Sequence, residues 1–171
     1  MAVCVLNEGG LELPLAQGEI EDAVACALSH EGVEREVEVS VNIVDEVQMA
    51  ALNGQWRGVA APTDVLSFEC DDPFDDSLPP DMPVELGDIV VAPQVIAAQA
   101  PEFGNTEAEE FRLMLVHSAL HLLGYDHMAE DEALEMEAAE LSILRELARR
   151  RGDDPDAVRI GPMTRHAEED A

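Results

Sequence analysis

Three histidines stand at a distinctive spacing in the segment HSALHLLGYDH, residues 117–127. His117 and His121 are four positions apart, so on a helix their side chains project from one face about 6 Å apart. Gly124 can adopt the left-handed conformation that ends a helix, and the turn would carry His127 to the same point. Three imidazoles that converge in this way can hold a zinc ion whose fourth position stays open to water. The segment therefore predicts a helix that ends near Gly124 and a catalytic metal centre.

The residue after the first histidine decides between reaction classes. Metzincin proteases share the spacing and carry a glutamate there as general base, whereas this chain has Ser118. A serine hydroxyl cannot take a proton from water at neutral pH as a carboxylate can. Phosphodiester hydrolysis needs less help, because zinc lowers the pKa of a bound water to about 7 and also stabilises charge on the phosphate. We therefore favour phosphodiester hydrolysis and keep a zinc peptidase or amidase as an alternative.

Arg57 is the arginine that we expect to bind the nonbridging phosphate oxygens. Before residue 112 the only basic residues are Arg35 and Arg57, and Arg35 lies between two glutamates, as in a solvated turn. Arg57 follows a tryptophan and precedes a glycine, on a predicted loop that leads into a strand. We expect its guanidinium to lie in the cleft of the three histidines and to face the open metal position.

The composition limits the partners and the compartment. The chain has 171 residues and a net charge of −29, from 38 acidic residues and 9 basic residues, all of them arginine. So acidic a chain is unsuited to nonspecific DNA binding or to anionic membranes, both of which need a basic surface. The three cysteines, Cys4, Cys26 and Cys70, show no paired spacing, which is typical of a reducing compartment. We find no signal peptide and no membrane-spanning run, and we expect a soluble cytoplasmic protein.

Periodicity and capping signals predict an α+β fold with a small mixed sheet packed with helices. Strands are predicted at 2–7, 36–44, 64–69 and 87–93, and helices at 19–31, 45–52, 93–100, 106–123 and 130–151. The Asn53-Gly54 pair is expected to end the second helix. The metal site is expected on a buried central helix, because the segment around His117 is apolar on nearly every side.

The domain organisation predicted from the sequence is simple. Residues 1–151 are expected to form one metal-dependent hydrolase domain. The acidic, proline-rich segment 70–85 is typical of a flexible, solvated loop. Residues 152–171 are expected to form a polar, frayed tail.

Three segments resemble the YbeY family of bacterial ribosomal-RNA maturation endonucleases. They are LNGQWRGVAAPTDVLSFE, LGDIVVAP and LMLVHSALHLLGYDHMAEDEALEME, and the resemblance covers roughly residues 36–147. It implies that His117, His121 and His127 are the ligands of one zinc ion per chain and that Arg57 is the functional arginine. It further implies a single-strand-specific, metal-dependent endoribonuclease that acts in maturation of the 3′ end of 16S rRNA and in ribosome quality control. The implied partners are single-stranded RNA, rRNA of the small ribosomal subunit and ribosome-associated proteins.

Several roles stay open on the sequence alone. Asp64 and Asp126 are both candidates for the general base or for a residue that orients a metal ligand. A noncatalytic ribosome-assembly factor with a structural metal is a further alternative, and a fourth protein ligand such as Asp126 or Cys70 would favour it. Arg112 is a candidate for additional positive charge in the cleft.

Overall fold

A computed structural model of the chain describes residues 1–125 and 129–160. Its strands are β1 (Ala2–Leu6), β2 (Val37–Ile43), β3 (Val65–Glu69) and β4 (Val84–Val91). Its α-helices are α1 (Gln17–His30), α2 (Glu46–Arg57), α3 (Pro93–Gln99), α4 (Glu107–Leu122) and α5 (Glu130–Arg151). Short 3₁₀ helices cover Ala100–Phe103 and Pro155–Ala157.

The four strands form one sheet in the order β1-β2-β4-β3. The pairs β1–β2 and β2–β4 are parallel, whereas β3 pairs with β4 in the antiparallel direction and forms one edge. Strand β2 buries every second residue, as its alternating valines predict. The mixed sheet with helices confirms the predicted α+β fold.

Helices cover the two faces of the sheet unequally. On β4, Ile89 and Val91 belong to the large core that includes α1, α4 and α5, whereas Val90 belongs to a smaller core. Because successive strand residues point to opposite faces, α4 and α2 lie on opposite sides of the sheet, and Met49 of α2 packs in the smaller core. Helix α4 is the centre of the large layer, since twelve of its sixteen residues are buried. Within the described part of the chain, no helix is long and apolar enough to cross a membrane.

Helix α2 ends later than the sequence predicts, at Arg57 instead of Leu52. It runs through Asn53 and Gly54 to Arg57, and Gly58 in the left-handed conformation caps it at φ 74°. The Asn53 side chain is 4 % exposed and donates from Nδ2 to the carbonyl of Ala61 at 2.8 Å. The asparagine therefore holds the returning chain against the helix instead of ending it, and this tertiary contact overrides a local turn signal. As a consequence Arg57 lies at a helix end, not on a loop.

The C-terminal segment is also better ordered than expected. Val158 and Ile160 pack against the large core after the 3₁₀ helix at Pro155–Ala157. The prediction of a frayed tail is therefore wrong for residues up to 160, because these two apolar side chains anchor the segment. Residues 161–171 lie outside the described residues.

Strand β4 begins earlier than predicted and contains a bulge. It starts at Val84, which lies near the end of the segment 70–85 that the sequence predicts to be a loop. Val84 pairs with Val37 of β2. The register of β4 against β2 shifts beside Val39, and Gly87 there has a φ of 146°. A Cβ on Gly87 would lie 2.2 Å from the carbonyl oxygen of Phe68 and 2.9 Å from Cδ2 of Leu122. Only glycine allows β3, β4 and α4 to approach so closely.

Gly87→Ala should destabilise the protein by about 2–4 kcal/mol, because the added methyl meets backbone of β3 and the φ is unfavourable for alanine. The free energy of unfolding from urea denaturation measures the effect. Gly18→Ala is the matched control, since Gly18 lies in α1 with nothing within 4 Å of an added Cβ, and alanine favours a helix by about 0.5–1 kcal/mol. Equal stabilities of the two variants would contradict the role of Gly87.

Candidate metal centre

Helix α4 brings two of the three predicted ligands together. Its N-terminus is capped by Thr106, whose side chain accepts from the backbone N–H of Glu109 while Glu109 bonds back. One helical turn separates His117 and His121, and their Nε2 atoms lie 3.1 Å apart. The ring centroids are 4.5 Å apart and the ring planes cross at 87°. This is the convergence that the sequence spacing predicts for the pair.

The other ring nitrogen of each histidine is held by an oxygen. Nδ1 of His121 lies 2.8 Å from the carbonyl oxygen of Tyr125, which can only accept, so this nitrogen carries the proton. Nδ1 of His117 lies 2.7 Å from Oε1 of Glu140, and a carboxylate there also accepts. Each neutral ring then presents an Nε2 lone pair. Two lone pairs that face each other at this distance repel unless a cation or a proton lies between them.

The donor set fits a metal ion. Neutral imidazoles held at Nδ1 by an oxygen are the usual arrangement of metal-ligating histidines. Tetrahedral zinc with Zn–N distances of about 2.0–2.1 Å would set the two nitrogens about 3.3–3.4 Å apart, close to the 3.1 Å observed. Residues 1–125 and 129–160 contain no group of three histidine, cysteine or acidic residues placed to hold a metal ion. His127 and Asp126, which complete the predicted site, lie outside the described residues.

The end of α4 turns the chain in the predicted way. Gly124 has a φ of 97°, its N–H donates to the carbonyl of His121, and the N–H of Tyr125 donates to that of Leu120. These two bonds form a Schellman motif, which uses a left-handed residue to close the helix. The Tyr125 hydroxyl then donates to Glu31 at 2.5 Å, and this bond raises the pKa of Tyr125 to about 12. Both ends of Tyr125 are thereby fixed, its carbonyl by His121 and its hydroxyl by Glu31, the residue that follows α1.

Glu140 is the residue of this site that sequence reasoning missed. It lies on α5, has no solvent exposure and holds the ring of His117. A signal was present in the sequence, because Glu140 interrupts the apolar stripe of α5 between Met136 and Ile143, both fully buried. A charged residue at a core position of an amphipathic helix indicates a partner inside the fold.

Ser118 is fully buried, and its Oγ has no hydrogen-bond partner among the described residues. Its backbone carbonyl accepts from the hydroxyl of Ser67 on β3 at 3.4 Å. Ser118 therefore packs between helix and sheet and supplies no base for the histidine pair.

Asp64 belongs to a buried network beside α4. Its Oδ1 accepts from the backbone N–H of Val65 at 2.7 Å, and its Oδ2 accepts from Gln99 at 2.9 Å. The same amide nitrogen donates to Glu110 at 2.8 Å, and Asn105 donates to Glu110 at 2.9 Å. These bonds tie the start of β3 to α3 and α4. The Nδ1 atoms of the two histidines are held by other groups, so an orienting or catalytic role of Asp64 stays a prediction.

Arg57 is the last residue of α2 and is exposed. The neighbouring Trp56 packs against Phe68 of β3 with ring centroids 5.5 Å apart. The preceding strand residue, Ser67, points to the opposite face and contacts α4. The end of α2 and the histidine helix therefore contact the same strand from opposite faces, and the placement of the Arg57 guanidinium in a cleft with the histidines stays a prediction.

Two other candidates are placed elsewhere. Arg112 donates to Glu19 at 3.0 Å and lines a cavity with Arg151 at the far end of α5, and burial lowers the pKa of its guanidinium. Cys70 lines a groove with Ser40 and Asp88 on the open face of the sheet, opposite the face that carries α4. The structure therefore places the candidate Arg112 beside Glu19 and the candidate fourth ligand Cys70 on the other face of the sheet from α4.

The family model described as Endoribonuclease YbeY matches residues 9–148. The chain belongs to the YbeY family. An Endoribonuclease YbeY of Roseiflexus sp. is 48 % identical over 131 residues, which are 75 % of this chain and 81 % of that protein. The one of Micrococcus luteus is 40 % identical over 144 residues, 80 % of this chain and 85 % of the relative.

A solved structure shares the fold. The solution structure of TM1509 from Thermotoga maritima covers 94 % of this chain and 99 % of its own, with a TM-score of 0.59 and 26 % sequence identity. The segment that matches the YbeY family model includes the whole histidine frame, Arg57, Asp64 and Glu140. These candidate site residues therefore all lie within residues 9–148, the range that matches the family model.

Glu140→Gln should weaken zinc affinity by about tenfold to a hundredfold, the scale seen when a partner of a metal ligand is changed. The amide can still accept from His117, but it removes the negative charge that favours a cation on this ring. The metal-free protein should keep its melting temperature or gain a few degrees, because a buried carboxylate is costly without a cation.

Competition with a chromogenic chelator measures the affinity, and thermal unfolding of the metal-free protein measures the stability. Ser118→Ala, next to His117 and equally buried, is the matched control and should leave zinc affinity unchanged. An unaltered affinity of Glu140→Gln would remove Glu140 from the site.

Proposed function

We propose that this protein is a metal-dependent endoribonuclease that cleaves single-stranded RNA and acts in maturation of the 3′ end of 16S rRNA and in ribosome quality control. Membership of the YbeY family and the names of the relatives support the nuclease activity. The observation that carries the proposal is the pair of histidine Nε2 atoms 3.1 Å apart, with both Nδ1 atoms held by oxygens. Such a pair is built to bind a cation.

The side chains have distinct roles in this proposal. His117, His121 and His127 would hold one zinc ion, which when bound supplies a Lewis acid and lowers the pKa of water. Glu140 keeps the first ring in its tautomer and stabilises positive charge on it. The carbonyl of Tyr125 keeps the ring of His121 in its tautomer, but it adds no negative charge.

Arg57 is proposed to bind the phosphate that is cleaved. Its planar guanidinium can donate to two phosphate oxygens at once and stays charged at every relevant pH. Its exposed position at the end of α2 leaves it accessible to a polymeric substrate. Asp64 and Asp126 are both kept as candidates for the general base or for a residue that orients a metal ligand.

We further propose that the substrate is presented in a ribosomal context. The net charge of −29 opposes long-range attraction of RNA, so small-subunit rRNA held by ribosome-associated proteins is a more suitable target than free RNA. A cytoplasmic location follows from such a substrate.

Purified protein should cleave an unstructured RNA, lose this activity on treatment with a chelator and regain it with zinc. His121→Ala should lower cleavage by about a thousandfold or more, roughly 4 kcal/mol of barrier, and should lower the zinc content measured by mass spectrometry. His30→Ala, an exposed histidine bonded to Ser142 on α5, is the matched control and should retain both. RNA cleavage that survives metal removal would refute the proposal, and cleavage of peptides instead would favour a zinc peptidase.

Arg57→Ala should keep the fold and the zinc content but lower cleavage by roughly a hundredfold, the scale of removing one electrostatic donor from a transition state. Arg57→Lys should recover only part of the loss, because a point charge cannot replace the bidentate fork. Single-turnover cleavage rates measure both. The control is Arg35→Ala, since Arg35 is engaged by the carbonyls of Pro79 and Met82. Near-normal cleavage by Arg57→Ala would leave the mechanism to the metal alone.

A further inference from the structure

The only tryptophan of the chain is held in an exposed position. Trp56 lies in the last turn of α2 and is 61 % exposed. The ring packs edge-on against Phe68 of β3, with an interplanar angle of 65°. An aromatic contact of this geometry fixes the orientation of the ring at little entropic cost. Trp56 is therefore a large, oriented apolar surface that the fold of the chain leaves in water.

The charge beside this ring favours a nucleic acid. Arg57 directly follows Trp56, and it is also exposed. An exposed aromatic face next to a guanidinium is the combination that binds a base together with its phosphate.

The position of the ring relates it to the metal centre. Trp56 packs against Phe68 on one face of β3. On the opposite face, the hydroxyl of Ser67 donates to the carbonyl of Ser118, the residue after His117. A single-stranded polymer that passes the histidine pair has only to cross the edge strand β3 to reach Trp56. The ring is thus suited to a base near the cleaved phosphate but not to the scissile nucleotide itself.

The size of the patch argues against a protein partner. Near Trp56 in the sequence, the other large apolar residue that is exposed is Val59. Val47 is also exposed, but it lies at the opposite end of α2. An aromatic side chain offers about 150–250 Å², whereas a stable protein interface needs about 800 Å² on each partner. One ring of this size matches one nucleobase.

We propose that Trp56 is a stacking platform for an unpaired nucleobase of the RNA substrate. This inference rests on the proposed function and adds the group that binds the RNA. A chain with a net charge of −29 cannot gain much affinity from counterion release, which grows with the number of phosphates neutralised. Stacking is uncharged and accepts any base. The affinity of this protein for RNA therefore depends on an aromatic face more than on a basic surface.

The test uses the full-length, zinc-loaded protein and a short oligoadenylate in a stopped-flow fluorimeter, so that binding is read before cleavage accumulates. Because Trp56 is the sole tryptophan, intrinsic tryptophan fluorescence reports this ring alone, and binding should quench it. An oligomer of the same length with abasic sites should bind more weakly and leave the fluorescence unchanged.

Variants are compared by anisotropy of a labelled oligoadenylate. Trp56→Ala and Trp56→Leu should raise the Kd by about tenfold or more, on the scale of losing one stacked base, whereas Trp56→Phe should stay within about threefold. The leucine variant keeps apolar bulk without a π face, and melting temperatures control for folding. Val47→Ala, an exposed apolar residue of the same helix, should bind as the unaltered protein does.

The outcomes separate this inference from the proposed function. If Trp56→Ala binds and cleaves RNA normally, the stacking platform is refuted while the endoribonuclease remains, and the exposed ring then belongs to a protein contact. If the unaltered protein neither binds nor cleaves RNA, both are refuted. Equal effects of leucine and phenylalanine at this position would also refute stacking.

Discussion

The hydrogen bond between His117 and Glu140 is the interaction on which the helical layer and the candidate site both depend. It joins α4 to α5 at the centre of the layer, where neither side chain is appreciably exposed. A buried carboxylate costs several kcal/mol unless it is paired, so α5 has to pack in the register that places Glu140 opposite the histidine. The same bond leaves Nε2 of His117 directed at His121. The packing of the core and the geometry of the candidate metal site are therefore not independent.

The edge strand β3 connects the two faces of the molecule. Ser67 contacts α4 on one face, and Phe68 contacts Trp56 of α2 on the other. Gly87 allows this strand and α4 to approach β4 closely, since any side chain there would meet the backbone of Phe68. The close packing at this edge brings the histidine helix and the end of α2 to the same strand, although they lie in different layers.

The negative net charge of the chain, −29, repels an RNA substrate, which is itself an anion. Of the described arginines, Arg35 and Arg112 are engaged by other parts of the fold, and neither adds charge at the histidine pair. A nuclease of this composition has to offset repulsion of RNA locally. The groups proposed for this are a cation held by the histidines, the guanidinium of Arg57 and the aromatic face of Trp56, which act at short range, where the net charge of the chain is least important.

The sequence by itself determined the elements that depend on local signals: the α5 boundaries, the capping box of α4 and the spacing that pairs His117 with His121. These follow from helical periodicity and from caps that involve neighbouring residues. Tertiary structure alone decided the length of α2, the early start of β4 and the partner of His117. Asn53 bonds to Ala61, Val84 pairs with Val37, and Glu140 lies 23 positions from the ring that it orients. The Asn53–Ala61 bond spans eight positions across a turn, and the other two contacts join segments far apart in sequence. Local periodicity cannot name such partners: the interrupted apolar stripe of α5 indicates that Glu140 has a partner, but not that the partner is His117.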